Sequence, residues 1–239
     1  MLINSGVYLA LGVIYLRFWW AERARTAYLA FAVACISYML FSWLELGMIV
    51  ASTPAEYVFY TWWAFIPGTA GLLAVAWFGY VHLQGRKWLF VAYCALRILA
   101  LILHLSMPNG LLFREVTSIG RRTVIGETLS YPITVPNPWM ALSHIGHLLL
   151  IIFLLDASFR CWRRGERRQA LVFGTGTILY GTTTLLIAPS VLWGFVSIPI
   201  LASFAALFFI VAMLYELNYD MHHAAMLTEQ LEERDAQLT

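Results

Sequence analysis

Five ionisable side chains interrupt stretches of this chain that are otherwise apolar: Glu45, Arg97, His104, His144 and His147. A charged or titratable group in hydrocarbon is expensive, so each of them needs a partner or a purpose. On a helix, the spacing of Arg97 and His104 places both on one face, and that of His144 and His147 does the same. Counting about 1.5 Å of rise per residue puts Glu45 and His144 at a similar depth, roughly 9 Å. We expect the five to converge in the outer half of a helix bundle.

Three interpretations of this cluster remain open. The first is a buried polar network in which Arg97 neutralises Glu45 and the histidines hydrogen-bond to their neighbours. The second is a binding pocket for a small amphiphilic or anionic ligand, with Arg97 as the anchor and aromatic walls from Trp43, Trp62 and Trp63. The third is a metal or haem site, because imidazole and carboxylate groups are metal ligands. Its ligands would be His104, His144, His147 and Glu45, and the metal stays unassigned.

The elements that must position these residues are transmembrane helices. The chain has 239 residues, of which 61% are hydrophobic and only 12% charged, whereas about 25% charged is usual for a soluble domain. Apolar stretches of about 17 to 25 residues are long enough to cross a bilayer as helices. The sequence predicts seven of them: 4–20, 27–51, 58–83, 88–107, 138–160, 170–188 and 196–218.

The distribution of basic residues predicts the orientation, because short cytoplasmic loops retain Lys and Arg. Ten basic residues flank the first, third and fifth connections, and three lie on the other side: Arg114, Arg121 and Arg122. We therefore expect the N-terminus outside and the C-terminus in the cytoplasm. The class is an all-α membrane protein, a bundle of seven transmembrane helices.

One connection is long, from 108 to 137, and is expected on the outer side. Segments 111–119 and 123–135 mix β-branched and aromatic residues with polar ones, and Gly120-Arg121-Arg122 lies between them as a turn. This predicts a β-hairpin over the outer mouth of the bundle. Whether it is a structural cap or a ligand lid stays open; as a lid it would add Arg114, Glu115 and Glu127 to the ligand-binding residues.

After the last span the chain continues as a charged, heptad-like segment that predicts a cytoplasmic amphipathic helix. Its apolar positions are Leu217, Met221, Ala224, Leu231 and Leu238. Thr228 and Asp235 occupy d positions and weaken the seam, so a homodimer through this segment stays open. Asp156 and Glu216 lie near the inner ends of the fifth and seventh spans, beside the basic cluster 160–168. Ion pairing is expected there, and a role of both residues in signal relay is considered.

Short motifs in a fixed order cover nearly the whole chain, and together they resemble the N-terminal seven-helix sensor regions of bacterial sensory histidine kinases, which are often linked to PAS modules. The matching stretches are Glu45-Leu46, Gly85-Arg86-Lys87-Trp88-Leu89, Arg97, Phe113-Arg114-Glu115-Val116-Thr117, Gly126-Glu127, Pro136-Asn137-Pro138-Trp139, Asp156-Ala157, Trp162-Arg163-Arg164-Gly165-Glu166-Arg167-Arg168, Tyr215-Glu216-Leu217 and Asp220.

The resemblance implies a sensory domain in the bacterial inner membrane (1–218) and a signalling helix (219–239), with PAS and kinase modules expected beyond Thr239. The expected partners are the lipid bilayer, an unidentified small molecule, a cytoplasmic PAS or kinase module and no nucleic acid. No resident cofactor and no catalysis by these residues are expected. A retinal protein is excluded, because the only lysine, Lys87, lies in a loop. A small transporter, a redox protein or a scaffold remain alternatives.

Overall fold

The computed structural model describes residues 2–124, 126–187, 189–190 and 202–238. The mainly helical architecture predicted from the sequence is confirmed, and the segment predicted as a hairpin contains a small two-stranded sheet. The helices are α1 (Leu2–Ala21), α2 (Thr26–Val50), α3 (Pro54–His82), α4 (Lys87–Ser106), α5 (Met140–Arg163), α6 (Arg167–Thr182) and α7 (Ala202–Leu238). Strands β1 (Phe113–Val124) and β2 (Glu127–Pro136) lie between α4 and α5.

Six helical stretches in the described part of the chain are long and apolar enough to cross a membrane, which supports the membrane class. They are α1 to α5 and the Ala202–His222 part of α7. The sixth predicted span, 170–188, is different: α6 has 16 residues and continues as a π-helical turn, Thr183–Ile187. An α-helix of that length falls short of the roughly 20 residues a bilayer requires. The seven-span count is therefore not confirmed; residues 188 and 196–201 of the predicted spans lie outside the described residues.

The core forms because α2 packs against both α1 and α3. Tyr15 of α1 makes an edge contact with Phe31 of α2, with ring centres 4.6 Å apart, and both rings are buried.

On the outer surface, α4 exposes Leu99, Ile102 and Leu105, each about half accessible. Apolar side chains in that position are what a lipid-facing surface requires.

The connection between α2 and α3 is short because a capping box starts α3 at once. The hydroxyl of Thr53 accepts the backbone N–H of Glu56, while the Glu56 carboxylate accepts the N–H groups of Ser52 and Thr53. Pro54 is the first residue of the helix, where its missing N–H costs nothing. This start fixes α3 antiparallel to α2.

The predicted strands form, but the predicted turn position was wrong. The two strands pair antiparallel, with Gly120 opposite Tyr131 and Val124 opposite Glu127, so Gly120-Arg121-Arg122 lies inside β1. Gly120 is needed there because a Cβ would lie 2.2 Å from the Tyr131 ring. The chain reverses near Gly126, whose φ of +84° suits glycine; residue 125 lies outside the described residues.

The sheet lies against one end of the bundle, called here the sheet end; the end that carries Arg86 and residues 160–168 is called the opposite end. Ser130 of β2 donates to the carbonyl of Ala51, which follows α2, at 2.8 Å. Phe113 and Val116 of β1 are buried in a small apolar cluster with Tyr57 and Met140. The sheet is therefore anchored to α2, α3 and the start of α5.

Two glycines of α6 provide a matched test of this packing. At Gly176 a Cβ would lie 3.1 Å from the Phe208 carbonyl oxygen of α7, whereas at Gly174 the nearest outside atom, in Ser158, is 3.8 Å away. Gly176→Leu should lower the free energy of unfolding by about 2 kcal/mol, because extra methylenes strain a packed interface. Gly174→Leu should stay within about 0.5 kcal/mol. SDS titration of both variants in mixed micelles measures this, and equal losses would contradict the α6–α7 contact.

Candidate functional site

A cavity of about 180 Å³ lies inside the bundle at the sheet end. It is bounded by α2 to α5, the α6 region and α7, and by residues that precede or begin β1. Four of the five ionisable residues singled out by the sequence line it: Glu45, Arg97, His144 and His147. The structure thus brings together, from α2, α4 and α5, most of the polar groups that were expected to converge.

Glu45 holds the start of α7. Its carboxylate is 2% exposed and accepts the backbone N–H of Ala202 at 2.5 Å and that of Ser203 at 3.2 Å. The first N–H groups of a helix have no partner within the helix and carry a partial positive charge. A buried carboxylate there satisfies both requirements, so Glu45 acts as a helix cap supplied by a different helix.

No carboxylate of the described residues pairs with Arg97, so the interpretation in which Arg97 directly neutralises Glu45 does not fit this structure. One Nη of Arg97 donates to the hydroxyl of Ser143 at 3.2 Å, and the guanidinium carbon lies 5.0 Å from the centre of the Phe65 ring. The Nε atom is buried without a hydrogen-bond partner, and the residue is 4% exposed. Glu45 does not pair with Arg97 because its carboxylate already accepts the N–H groups at the start of α7.

The two histidines of α5 differ in their hydrogen bonding. Nδ1 of His147 lies 2.8 Å from the Ser143 carbonyl oxygen, and because a carbonyl can only accept, this nitrogen carries the proton. His144 has a buried Nε2 without a partner. The turn of α5 around Ser143 therefore brings two histidines to the cavity: His147 with a hydrogen-bonded Nδ1, and His144 with an Nε2 that has no partner.

His104, the fifth predicted residue, does not line the cavity and has a structural environment. Its Nδ1 accepts the backbone N–H of Leu111 at 3.0 Å, and its Nε2 lies 3.0 Å from the Trp62 carbonyl oxygen. The ring stacks on Phe65 with centres 4.0 Å apart. Both ring nitrogens are therefore engaged, and the residue fastens the loop after α4 to α3.

This arrangement predicts the tautomer and the stability of His104 variants. Because Nδ1 accepts, the ring must carry its proton on Nε2, and ¹⁵N NMR should show that neutral tautomer. His104→Leu leaves the buried Leu111 N–H without a partner and should cost about 2 kcal/mol. His222→Leu, an exposed position on α7, is the control. An Nδ1–H tautomer, or equal stability of the two variants, would contradict the assignment.

The tryptophans predicted as cavity walls lie elsewhere. Trp43 is 64% exposed and Trp63 46% exposed, on the outer surface of the bundle, and Trp62 packs against Trp63 and His104. They do not line the cavity. Its aromatic walls are Tyr38, Phe41, Tyr57, Phe65, Phe113 and Tyr180. Inward and outward aromatic residues alternate along the same helices, so residue type alone does not separate them.

The sheet contributes to the cavity through different residues from those predicted. Arg114 and Glu115 are exposed, and the side chain of Glu127 lies outside the described residues. Leu112 and Phe113 line the cavity instead. Alternation places Arg114 on the face opposite buried Phe113, and an irregularity in the strand between Phe113 and Glu115 exposes Glu115 as well.

The opposite end contains a second polar cluster, centred on Glu216 of α7. This carboxylate is fully buried and accepts two hydrogen bonds from the Arg168 guanidinium, each of 3.1 Å. His82 of α3 lies 4.0 Å from Glu216 and 3.9 Å from Asp220. Asp156 was expected to pair with the basic cluster 160–168, but its partner is Arg86, which directly precedes α4, at 3.2 Å. Helices α3, α6 and α7 are therefore joined here through Glu216.

The predicted metal ligands do not form a compact group. Among the described residues, one group of metal-ligating side chains has its ligand atoms within 4.8 Å of one another: His82, Glu216 and Asp220. Its central carboxylate already pairs with a guanidinium, which competes directly with a cation. His82 Nε2 also lies 2.8 Å from the Gln169 amide nitrogen. Ligand atoms of this group are therefore already engaged by Arg168 and Gln169.

The connection between α5 and α6 is held by Arg164. Its guanidinium donates to Glu166 at 3.0 Å and to the Leu83 carbonyl oxygen at 3.2 Å. The hydrogen bond from Arg164 lowers the pKa of Glu166 from its ordinary value. Through Leu83 and Glu166, Arg164 therefore joins the connection between α3 and α4 to the connection between α5 and α6 at the opposite end.

Of the residues considered for signal relay, Asp156 lies on α5 and the others lie along α7. Leu217 is buried and Met221 is partly buried, and the side chains of Ala224, Leu231 and Leu238 lie outside the described residues. The backbone of α7 remains helical through Leu238.

No family model, curated protein or solved structure matches this chain. Fold and site together define a helical protein of membrane character, with a mainly apolar cavity that four ionisable residues line at one end and an extended terminal helix.

Proposed function

We propose that this chain is a sensory domain of the bacterial inner membrane, with seven transmembrane helices, its N-terminus outside and its C-terminus in the cytoplasm. A small molecule bound in the cavity changes the position of α7, and α7 carries the change to a kinase-type output module. The excess of basic residues at the opposite end supports this orientation. The continuation of α6 into the π-helical turn supports a seventh crossing.

One observation carries the proposal: Glu45, a cavity-lining residue of α2, holds the first N–H groups of α7. Ala202 and Ala206 of α7 also line the cavity, so an occupant contacts the very start of this helix. The helix then runs without interruption for 37 residues, which is about 55 Å at 1.5 Å per residue. A shift at the cavity therefore has a rigid path out of the bilayer.

Contacts along α7 support a defined movement rather than independent fluctuation. The Tyr8 hydroxyl donates to the Ser203 carbonyl oxygen at 2.9 Å, and the Tyr15 hydroxyl donates to the Asn218 side chain at 2.9 Å. Near the opposite end, the Arg168–Glu216 pair holds α7 to α6. Helix α7 is thus connected at two heights, to α1 and α2 near Ser203 and to α1 and α6 near Glu216 and Asn218. A two-state shift would exchange these contacts together.

The resemblance to sensor regions of histidine kinases is the second support, and it provides the test. A histidine kinase module joined after Leu238 in a matched helical register reports the position of α7 as autophosphorylation in nanodiscs. Glu45→Gln should change basal activity by about fivefold, the effect of a coupling of about 1 kcal/mol.

Glu56→Gln is the matched control, because Glu56 is also a carboxylate at a helix start but belongs to the exposed capping box of α3. Its activity should equal that of the unmodified chain. If the Glu45 and Glu56 variants behave alike, α7 does not report on the cavity and the sensory proposal fails.

A further inference from the structure

The cavity contains a cationic group whose charge is not balanced by a local partner. Arg97 is 4% exposed, and no carboxylate of the described residues lies within ion-pairing distance of it. Its recorded contacts are the neutral Ser143 hydroxyl and the Phe65 ring. A buried guanidinium in this state is costly, and an anion that binds beside it recovers the cost.

A second unsatisfied group also favours a hydrogen-bond acceptor. Tyr38 lines the cavity and its hydroxyl is buried without a partner. The cavity-lining hydroxyls of Thr61 and Thr184 are already used, since they donate to carbonyl oxygens of their own helices. A carboxylate only accepts hydrogen bonds and has two oxygens for them, so it complements the N–H of Arg97 and the O–H of Tyr38.

Glu45 limits the charge of the occupant to one. It also lines the cavity, and its own charge is directed to the N–H groups of Ala202 and Ser203. A monoanion on Arg97 leaves this arrangement intact. A dianion would add repulsion from Glu45 without a second cation to offset it.

Size and lining define the remainder of the molecule. The cavity measures about 180 Å³, and a protein cavity of about 150 Å³ is large enough for benzene. Its other walls include Phe41, Phe65, Leu72 and Ala206, which require an apolar partner. The available space thus fits one ring or a short chain carrying one acidic group.

We propose that the cavity is a binding site for a compact monocarboxylate, with the carboxylate on Arg97 and Tyr38 and an apolar ring or chain of about six carbon atoms against Phe41, Phe65 and Leu72. This inference rests on the proposed function, because it names the ligand class of the same site. It concerns binding only and does not depend on any output module.

The test uses the full 239-residue chain in nanodiscs of zwitterionic lipid, with empty nanodiscs as the blank. The probes are benzoate and hexanoate, and their neutral counterparts of the same size are benzamide and hexanamide. Calorimetry and ligand-observed NMR measure the dissociation constants. Each acid should bind about tenfold or more tightly than its amide, as expected for a charge-assisted hydrogen bond.

Three variants locate the interaction. Arg97→Gln should reduce acid binding to the level of the amide, and Ala206→Leu should abolish binding of both by filling the cavity. Arg86→Gln, which removes a cation at the opposite end, should change neither. Should Arg97→Gln fail to fold, the acid–amide comparison and Ala206→Leu still decide the question.

The inference is overturned if acid and amide bind equally, if neither acid binds, or if acid binding survives Arg97→Gln or Ala206→Leu. These results are distinguishable from failure of the sensory proposal. Arg97-dependent binding of the acids without any change in kinase activity would refute the sensor and keep the ligand class. Kinase activity that responds to Glu45→Gln, in a chain that binds neither acid, would refute the ligand class and keep the sensor.

Discussion

Arg168→Ala should lower the free energy of unfolding by about 3 kcal/mol, the largest loss expected from a single substitution at the opposite end. The substitution removes both hydrogen bonds to Glu216 and leaves a carboxylate with no solvent exposure. Without the guanidinium, the buried carboxylate keeps only His82, 4.0 Å away, as a basic neighbour among the described residues. SDS titration in mixed micelles, followed by tryptophan fluorescence, measures the change.

Two controls separate the buried charge from a general effect of removing arginine. Arg167→Ala deletes the neighbouring arginine, which is exposed and contacts only the Trp162 ring at 5.6 Å among its recorded contacts; it should cost less than about 0.5 kcal/mol. The double variant Arg168→Ala/Glu216→Gln should recover about half of the loss, because a neutral amide is less costly to bury. If Arg168→Ala costs no more than Arg167→Ala, the Glu216 cluster is not a stabilising junction.

Glu45→Ala should cost a similar amount, about 3 kcal/mol, because it leaves one buried and one partly buried N–H group at the start of α7 without an acceptor. The affected amides are those of Ala202 and Ser203. Glu45→Gln keeps an acceptor but loses the charge that complements the helix dipole, so about 1 kcal/mol is expected. Hydrogen exchange should show loss of protection confined mainly to the first turn of α7.

Glu56→Ala is the comparison, since it also removes a carboxylate that accepts two backbone N–H groups. Those groups, of Ser52 and Thr53, are exposed, and water replaces the lost acceptor. The expected cost is therefore only about 1 kcal/mol. Equal costs for Glu45→Ala and Glu56→Ala, or unchanged exchange at the start of α7, would show that Glu45 does not hold this helix.

The membrane class and the approximate helix boundaries were predictable because hydropathy is a local property. A bilayer requires about 20 successive apolar residues, and α2 (Thr26–Val50) and α5 (Met140–Arg163) satisfy this within the sequence itself. The sheet region was predictable for a similar reason, through its β-branched and aromatic residues. The turn was not, because Gly120 resembles a turn residue but instead makes room for the Tyr131 ring, which depends on strand register.

The candidate site was predictable in its members but not in their partners. Four of the ionisable residues line one cavity, as expected from the cost of burying charge. The acceptor role of Glu45 could not be anticipated, because its partners Ala202 and Ser203 are 157 and 158 residues away in the chain. His82 was overlooked because it lies at a helix end, where a histidine has no evident need of a partner.

The sequence by itself determined that the chain forms membrane helices and that Glu45, Arg97 and the histidines need polar surroundings, since both follow from the cost of placing these groups in hydrocarbon. Only the tertiary structure decided which groups meet that need. Packing directs Glu45 to the start of α7, His104 to Leu111 and Glu216 to Arg168, and it leaves Arg97 with no carboxylate of the described residues within ion-pairing distance. The reason is physical: the penalty for burial is set by each residue and its neighbours in the chain, whereas the choice of partner is set by contacts between distant helices.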